Sequence, residues 1–96
     1  MGIIKLTVLQ NYPKTLPIPL GNNIRIYNTD QYYLVEFLPN NEDKPHIVCP
    51  PGMIVDFDET YIPPKKLQWI KITNENEIPL EITIEFYYRG RVSRNL

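Results

Sequence analysis

The sequence predicts an all-β chain, folded as a single antiparallel β-sandwich or small jelly-roll-like barrel of six to seven strands. Three observations carry that expectation. Between Leu80 and Tyr88, apolar side chains alternate with polar ones over nine residues, the two-residue period of a strand with one buried face. The chain holds 10 Pro and no Ala, so long helices lack their best former and meet frequent breakers. Short apolar runs separated by Asn, Asp, Gly and Pro recur about every ten residues, the spacing of strands in a sandwich.

Ile3 to Leu9 makes the first strand. Tyr12 to Gly21 follows as a proline-rich arm, in which Leu16, Ile18 and Leu20 alternate with Pro17 and Pro19. Proline has no amide hydrogen to give to a ladder, so this arm is expected at a sheet edge or as an extended polyproline-like segment. Ile24 to Tyr27 and Tyr32 to Leu38 flank the polar run Asn28 to Gln31 and read as a hairpin. Pro39 to Pro45 encloses an exposed polar loop.

Pro50-Pro51-Gly52 places Pro before Gly at the central positions of a type II turn, with Ile47 to Cys49 before it and Met53 to Phe57 after it. Leu67 to Thr73 carries Ile70 and Ile72, and Asn74 to Glu77 then supplies turn chemistry ahead of the Leu80 to Tyr88 strand. These two segments also read as a hairpin. The sequence contains no internal repeat and no long linker.

With 96 residues, 43% hydrophobic and 22% charged, the chain has room for one core and the composition of an ordinary globular domain. A formal net charge of −1 gives no overall basic field to attract nucleic acid or acidic lipid. Nothing approaches 18 consecutive apolar residues, and Lys5 and Thr7 interrupt the start of the chain. Neither a membrane span nor a signal peptide is therefore expected, and the expected location is inside a cell, in the cytoplasm or in an assembled particle. Cys49 is the single cysteine, so no intramolecular disulfide can form.

Candidate chemistry is sparse. His46, Cys49 and Ser93 are the only residues of their types. His46-x-x-Cys49 beside the Pro50-Pro51-Gly52 turn is the one arrangement that offers a nucleophile and a base, but Cys49 reads first as a small buried hydrophobe. As metal ligands the same pair gives two groups where a structural zinc site needs about four. Asp56, Asp58 and Glu59 cluster, and Asp56 and Asp58 share a strand face about 6.7 Å apart. Such carboxylates serve as general acid and base in a deep cleft, for which a small sandwich has little material, so they read as a solvated face. No loop has calcium-binding spacing, and Gly2, Gly21, Gly52 and Gly90 are too scattered for a phosphate loop. No catalytic residue and no cofactor is expected.

The remaining signals are surfaces. Arg89, Arg91 and Arg94 lie in the final eight residues, 89–96, with no acid among them. This short basic tail reads first as a frayed, solvated end; the alternative is a local contact with a phosphate backbone or an acidic neighbouring subunit, the one place where nucleic acid is not disfavoured. Tyr32, Tyr33, Tyr61, Trp69, Tyr87 and Tyr88 offer stacking area, and Tyr87 must face opposite to Tyr88 on a strand. Together with Leu16, Ile18 and Leu20 of the arm, Trp69 and Tyr87 are the candidate interface residues.

The stretch from Leu67 to Gly90, LQWIKITNENEIPLEITIEFYYRG, resembles the closing hairpin of small viral β-sandwich structural proteins, jelly-roll-like capsid, decoration and tail-associated domains. The resemblance covers about a quarter of the chain. It implies a role in a symmetric particle and offers no catalytic motif. The leading expectation is thus a non-enzymatic structural protein that assembles with itself or with other structural subunits. The alternative is a carbohydrate- or ligand-binding module using Trp69 and the tyrosines. A third, an enzyme built on Cys49 and His46, requires a reactive thiol.

Overall fold

The computed structural model describes residues 2–27, 30–38, 46–58, 62 and 68–88. Eight strands follow in chain order: β1 (Gly2–Val8), β2 (Lys14–Ile18), β3 (Asn22–Ile26), β4 (Tyr33–Leu38), β5 (Ile47–Cys49), β6 (Val55–Phe57), β7 (Gln68–Thr73) and β8 (Leu80–Tyr88). They form two four-stranded antiparallel sheets, one in the order β1-β8-β3-β6 and the other in the order β2-β7-β4-β5. The all-β sandwich expected from the sequence is correct, and its strand order is that of a jelly roll.

The expected count of six to seven strands becomes eight. The added strand is β2, taken from the proline-rich arm, with Lys14 opposite Ile72 and Ile18 opposite Gln68 on β7. It is an edge strand, and an edge has a free side on which a missing amide hydrogen is tolerated, which is how a segment containing Pro17 joins a ladder. Alternation then turns Leu16 and Ile18 towards the core and Thr15 and Pro17 towards solvent.

Both expected hairpins are corrected. β3 and β4 lie in different sheets, and so do β7 and β8. The polar runs between them reverse the chain, as their residues dictate, but each reversal also carries it across the sandwich. β4 and β5 are the one pair of consecutive strands that share a sheet; the Pro39 to Pro45 loop between them lies outside the described residues.

Two of the crossings have the same hydrogen-bonded construction, and a third shares its positive φ. Tyr12 donates to the carbonyl of Leu9 over 3.1 Å and Asn22 to that of Pro19 over 3.2 Å. The third residue of each turn has positive φ, 67° at Asn11 and 78° at Gly21. Gly52 has a φ of 76°, in accord with the type II turn read from Pro50-Pro51-Gly52. Positive φ at this position is what a type II turn demands and what Gly and Asn supply most readily.

The core fills the space between the sheets. Val8, Ile24, Ile26, Phe57, Leu80, Ile82, Ile84 and Phe86 enter it from one side, and Ile18, Tyr33, Val35, Phe37, Cys49, Ile70 and Ile72 from the other. The sheets are joined at Phe37 and Phe57, whose rings meet edge to face with centroids 5.1 Å apart, a geometry that adds stabilisation beyond the buried area. Asn74 is the chief polar group in this interior. Its Nδ2 donates to the carbonyls of Val8 and Ile78, each over 2.9 Å. Its Oδ1 accepts the amide of Asn76 over 2.9 Å, an Asx turn.

Candidate functional site

The solvent face of the β1-β8-β3-β6 sheet carries a polar row set by register. Ile3 lies opposite Glu85, Glu85 opposite Arg25, and Arg25 opposite Asp56, so one cation sits between two carboxylates. Arg25 Nε donates to Asp56 Oδ1 over 3.0 Å, and its Nη1 lies 3.8 Å from Glu85 Oε1. The Tyr87 hydroxyl donates to the same Asp56 oxygen over 2.7 Å, and the Tyr27 hydroxyl donates to Glu85. Arg25 also stacks on Tyr87, with its guanidinium carbon 4.9 Å from the ring centroid. The hydrogen bond to Asp56 holds Arg25 still more firmly protonated than usual. Burial, followed by the Asp56 acceptor, pushes the Tyr87 phenol up. Three charged groups and two phenols are thus satisfied by one another.

The solvent face of the β2-β7-β4-β5 sheet is more apolar. Trp69 is flanked by Pro17 on β2 and Leu38 on β4, while Leu34 lies opposite Val48. Between these lies the row Thr15, Lys71, Glu36, with His46 Nε2 3.5 Å from Glu36 Oε1. Trp69 is 39% exposed, enough to stack with a partner.

His46 and Cys49, which share a short motif, part company in the fold. Alternation along β5 places His46 on the solvent side and Cys49 in the core. Burial pushes the Cys49 thiol up, which leaves it protonated at neutral pH and a poor nucleophile. Tyr33, its register partner, has its hydroxyl buried with no well-formed hydrogen bond. Burial first, and then the neighbouring Cys49, raise that phenol far above the ordinary tyrosine value.

The other sequence candidates divide. Asp56 is engaged by Arg25 and Tyr87, and among the described residues no three His, Cys, Asp or Glu side chains group as metal ligands. Within the arm, Leu20 is exposed and Leu16 packs against the core. Ile18 is corrected, because at 2% exposure it is a core residue and not a contact. Trp69 and Tyr87 both face solvent, on opposite sheets. Tyr88, read as the last member of the buried stripe, is exposed. Arg89, Arg91 and Arg94, with Ser93, Glu59 and Tyr61, lie outside the described residues.

A further surface was not legible as a unit. Strand register brings the connections after β1, β3, β5 and β7 to one end of the sandwich. There Leu9, Tyr12, Met53, Ile54 and Ile78 are each between 47% and 70% exposed. Hydrogen bonds hold this end: Gln10 donates to the Glu75 carbonyl, Gln31 to that of Ile78 and Asn76 to that of Tyr32. The sequence signal was apolar residues inside turn segments, where solvation favours polar ones.

No family model and no curated protein matches the chain. Among solved structures it is similar to a de novo designed double-stranded β-helix determined by solution NMR, with a TM-score of 0.69 and 15% identity over 91% of this chain and 100% of that one. Strand order and this likeness place the protein in the class of eight-stranded double-stranded β-helices, or jelly rolls.

Proposed function

We propose that the protein is a non-enzymatic structural module that acts through contacts with copies of itself or with other structural subunits. One observation carries the reading: five large apolar side chains, Leu9, Tyr12, Met53, Ile54 and Ile78, stand exposed together at one end of the sandwich. Large apolar side chains left exposed at one end of a fold favour an interaction site there. The resemblance of residues 67–90 to viral sandwich proteins extends the proposal to a virion component of the capsid, decoration or tail-associated kind. Jelly rolls also serve as lectin domains, and Trp69 on an open sheet face supports a glycan-binding alternative.

The test is the molar mass of the chain by light scattering over a wide concentration range. Substitutions at the exposed end leave the fold intact, whereas deleting Tyr12 to Leu20 would remove β2 and the core residue Ile18. The expected result is a mass that rises with concentration and falls back in Met53→Ser/Ile78→Ser. A constant monomer mass, with glycan-array binding lost in Trp69→Ala, would move the assignment to the alternative.

A further inference from the structure

We infer that β1 is a second self-association surface, separate from the apolar end, pairing antiparallel with β1 of a second copy about a two-fold axis at Ile4; the inference rests on the assembly reading. Of the four edge strands, three are poor templates. β5 and β6 have three residues each, and β2 contains Pro17. Short edges and proline are the usual devices that prevent strand addition. β1 has seven residues, no proline and one charge, Lys5. Among the described residues nothing pairs with its outer side.

Its side chains are uncovered where an added strand would cover them. Ile3, on the solvent face, is 64% exposed. Ile4 faces the core layer, opposite the fully buried Ile84, and is still 37% exposed. A Cβ placed at Gly2, on the same inner side, would meet nothing within 4 Å. Burial on this side rises steadily towards Val8, which is fully buried. Among the described residues, the first half of β1 therefore lacks a neighbour on one backbone edge and on both faces.

A second copy of the chain fits this edge, because one two-fold register matches its side chains. A two-fold axis makes the contact reciprocal. Centred on Lys5, it would set two ammonium groups opposite each other, which is unfavourable. Centred on Leu6, it would bring up Val8, which has nothing left to cover. Centred on Ile4, it pairs Ile4 with Ile4, sets Leu6 against the open space at Gly2, and places Lys5 beside Ile3. Glu85 is the next residue in that row, about two strand spacings, or ~9.6 Å, from Lys5 of the other copy. The stem of Lys5 covers Ile3 while its ammonium group extends towards Glu85.

The experiment compares dimer dissociation constants for the full chain, Ile3→Lys and Ile3→Lys/Lys5→Ile by sedimentation equilibrium, with circular dichroism confirming the fold. Ile3→Lys sets Lys against Lys twice across the axis while adding a cation beside Glu85 within its own sheet. It is expected to weaken the dimer at least tenfold, and the double variant, which restores one Lys and one Ile in each pair, to recover it. An oligomer unchanged in Ile3→Lys overturns the edge contact and leaves the assembly reading standing. A wild-type chain that stays monomeric at every concentration overturns both the edge contact and self-assembly, and restricts the assembly reading to contacts with other subunits.

Discussion

Asn74 Nδ2 donates over 2.9 Å to the carbonyl of Val8, joining the end of β7 in one sheet to the end of β1 in the other. The same amide reaches Ile78, and its carbonyl caps the turn at Asn76, so one buried side chain orients three backbone groups at the contact end. Replacing it takes the partner from the buried Val8 carbonyl and from the Asn76 amide, while the Ile78 carbonyl keeps Gln31, and a buried polar group left unpaired costs more than a hydrogen bond contributes. Asn74→Ala is expected to lose about 2–4 kcal/mol of stability in urea titration. A loss below the measurement error would show that the network is not required for folding.

The register partners Tyr33 and Cys49 make stability depend on alkaline pH. Both are buried, and burial raises both groups above their ordinary values of 10.0 and 9.0. The folded chain therefore holds these protons while the unfolded chain releases them. Their contribution is complete below pH 9.0, the ordinary thiol value, and is lost as pH rises past it and past the tyrosine value. Tyr33→Phe is expected to be neutral or stabilising by up to about 1 kcal/mol at neutral pH, because it removes a poorly satisfied hydroxyl. It should also flatten the decline in the urea midpoint above pH 10. An equally steep decline in the variant would assign the dependence to other groups.

The same burial makes Cys49 slow to react. Labelling by a thiol reagent at neutral pH is expected to follow the opening of the native state and to accelerate sharply in denaturant. Labelling as fast as that of a small free thiol would put Cys49 at the surface and revive a catalytic reading of His46 and Cys49.

Much of this fold was legible in the sequence, because strand existence is a local matter. Alternation from Leu80 to Phe86 sets which side chains are buried, and Pro51-Gly52 sets its turn. Pairing is not local. The Asn74 to Glu77 segment reverses the chain whether β7 and β8 lie side by side or across a core, so both hairpins were misread for the same reason. The candidate surfaces divide along the same line. Parity alone separates His46 from Cys49, whereas Arg25, Asp56 and Glu85 become neighbours only once β3 is known to lie between β6 and β8.

The three turns test how far backbone conformation alone governs the crossings. A Cβ at Gly21 or Gly52 meets nothing within 4 Å, so alanine adds no clash, and the cost is that of positive φ, about 1–2 kcal/mol at each. Gly21→Ala and Gly52→Ala should therefore lose similar stability. Asn11→Gly should change it by less than about 1 kcal/mol, since relief of the left-handed backbone is offset by unfolded-chain entropy. Unequal losses at the two glycines would point to a contact beyond backbone geometry.

The row of Glu85, Arg25 and Asp56 looks like a strong electrostatic clasp, and its exposure argues otherwise. Both partners of the 3.0 Å contact are over a third exposed, and such pairs contribute at most about 1 kcal/mol and weaken with salt. Asp56→Asn should thus cost less than about 1 kcal/mol at low ionic strength and almost nothing in concentrated salt. Its clearer effect is on Tyr87, whose phenol is raised first by burial and second by its hydrogen bond to Asp56. Asparagine removes the negative charge but not the burial, so the Tyr87 titration, followed by tyrosinate absorbance, should move down without returning fully to 10.0. The stacking of Arg25 on the ring survives that change and is lost only in Tyr87→Leu, so the two variants separate charge pairing from cation–π contact. An unmoved Tyr87 titration in Asp56→Asn would mean that the hydrogen bond between these residues does not persist in solution.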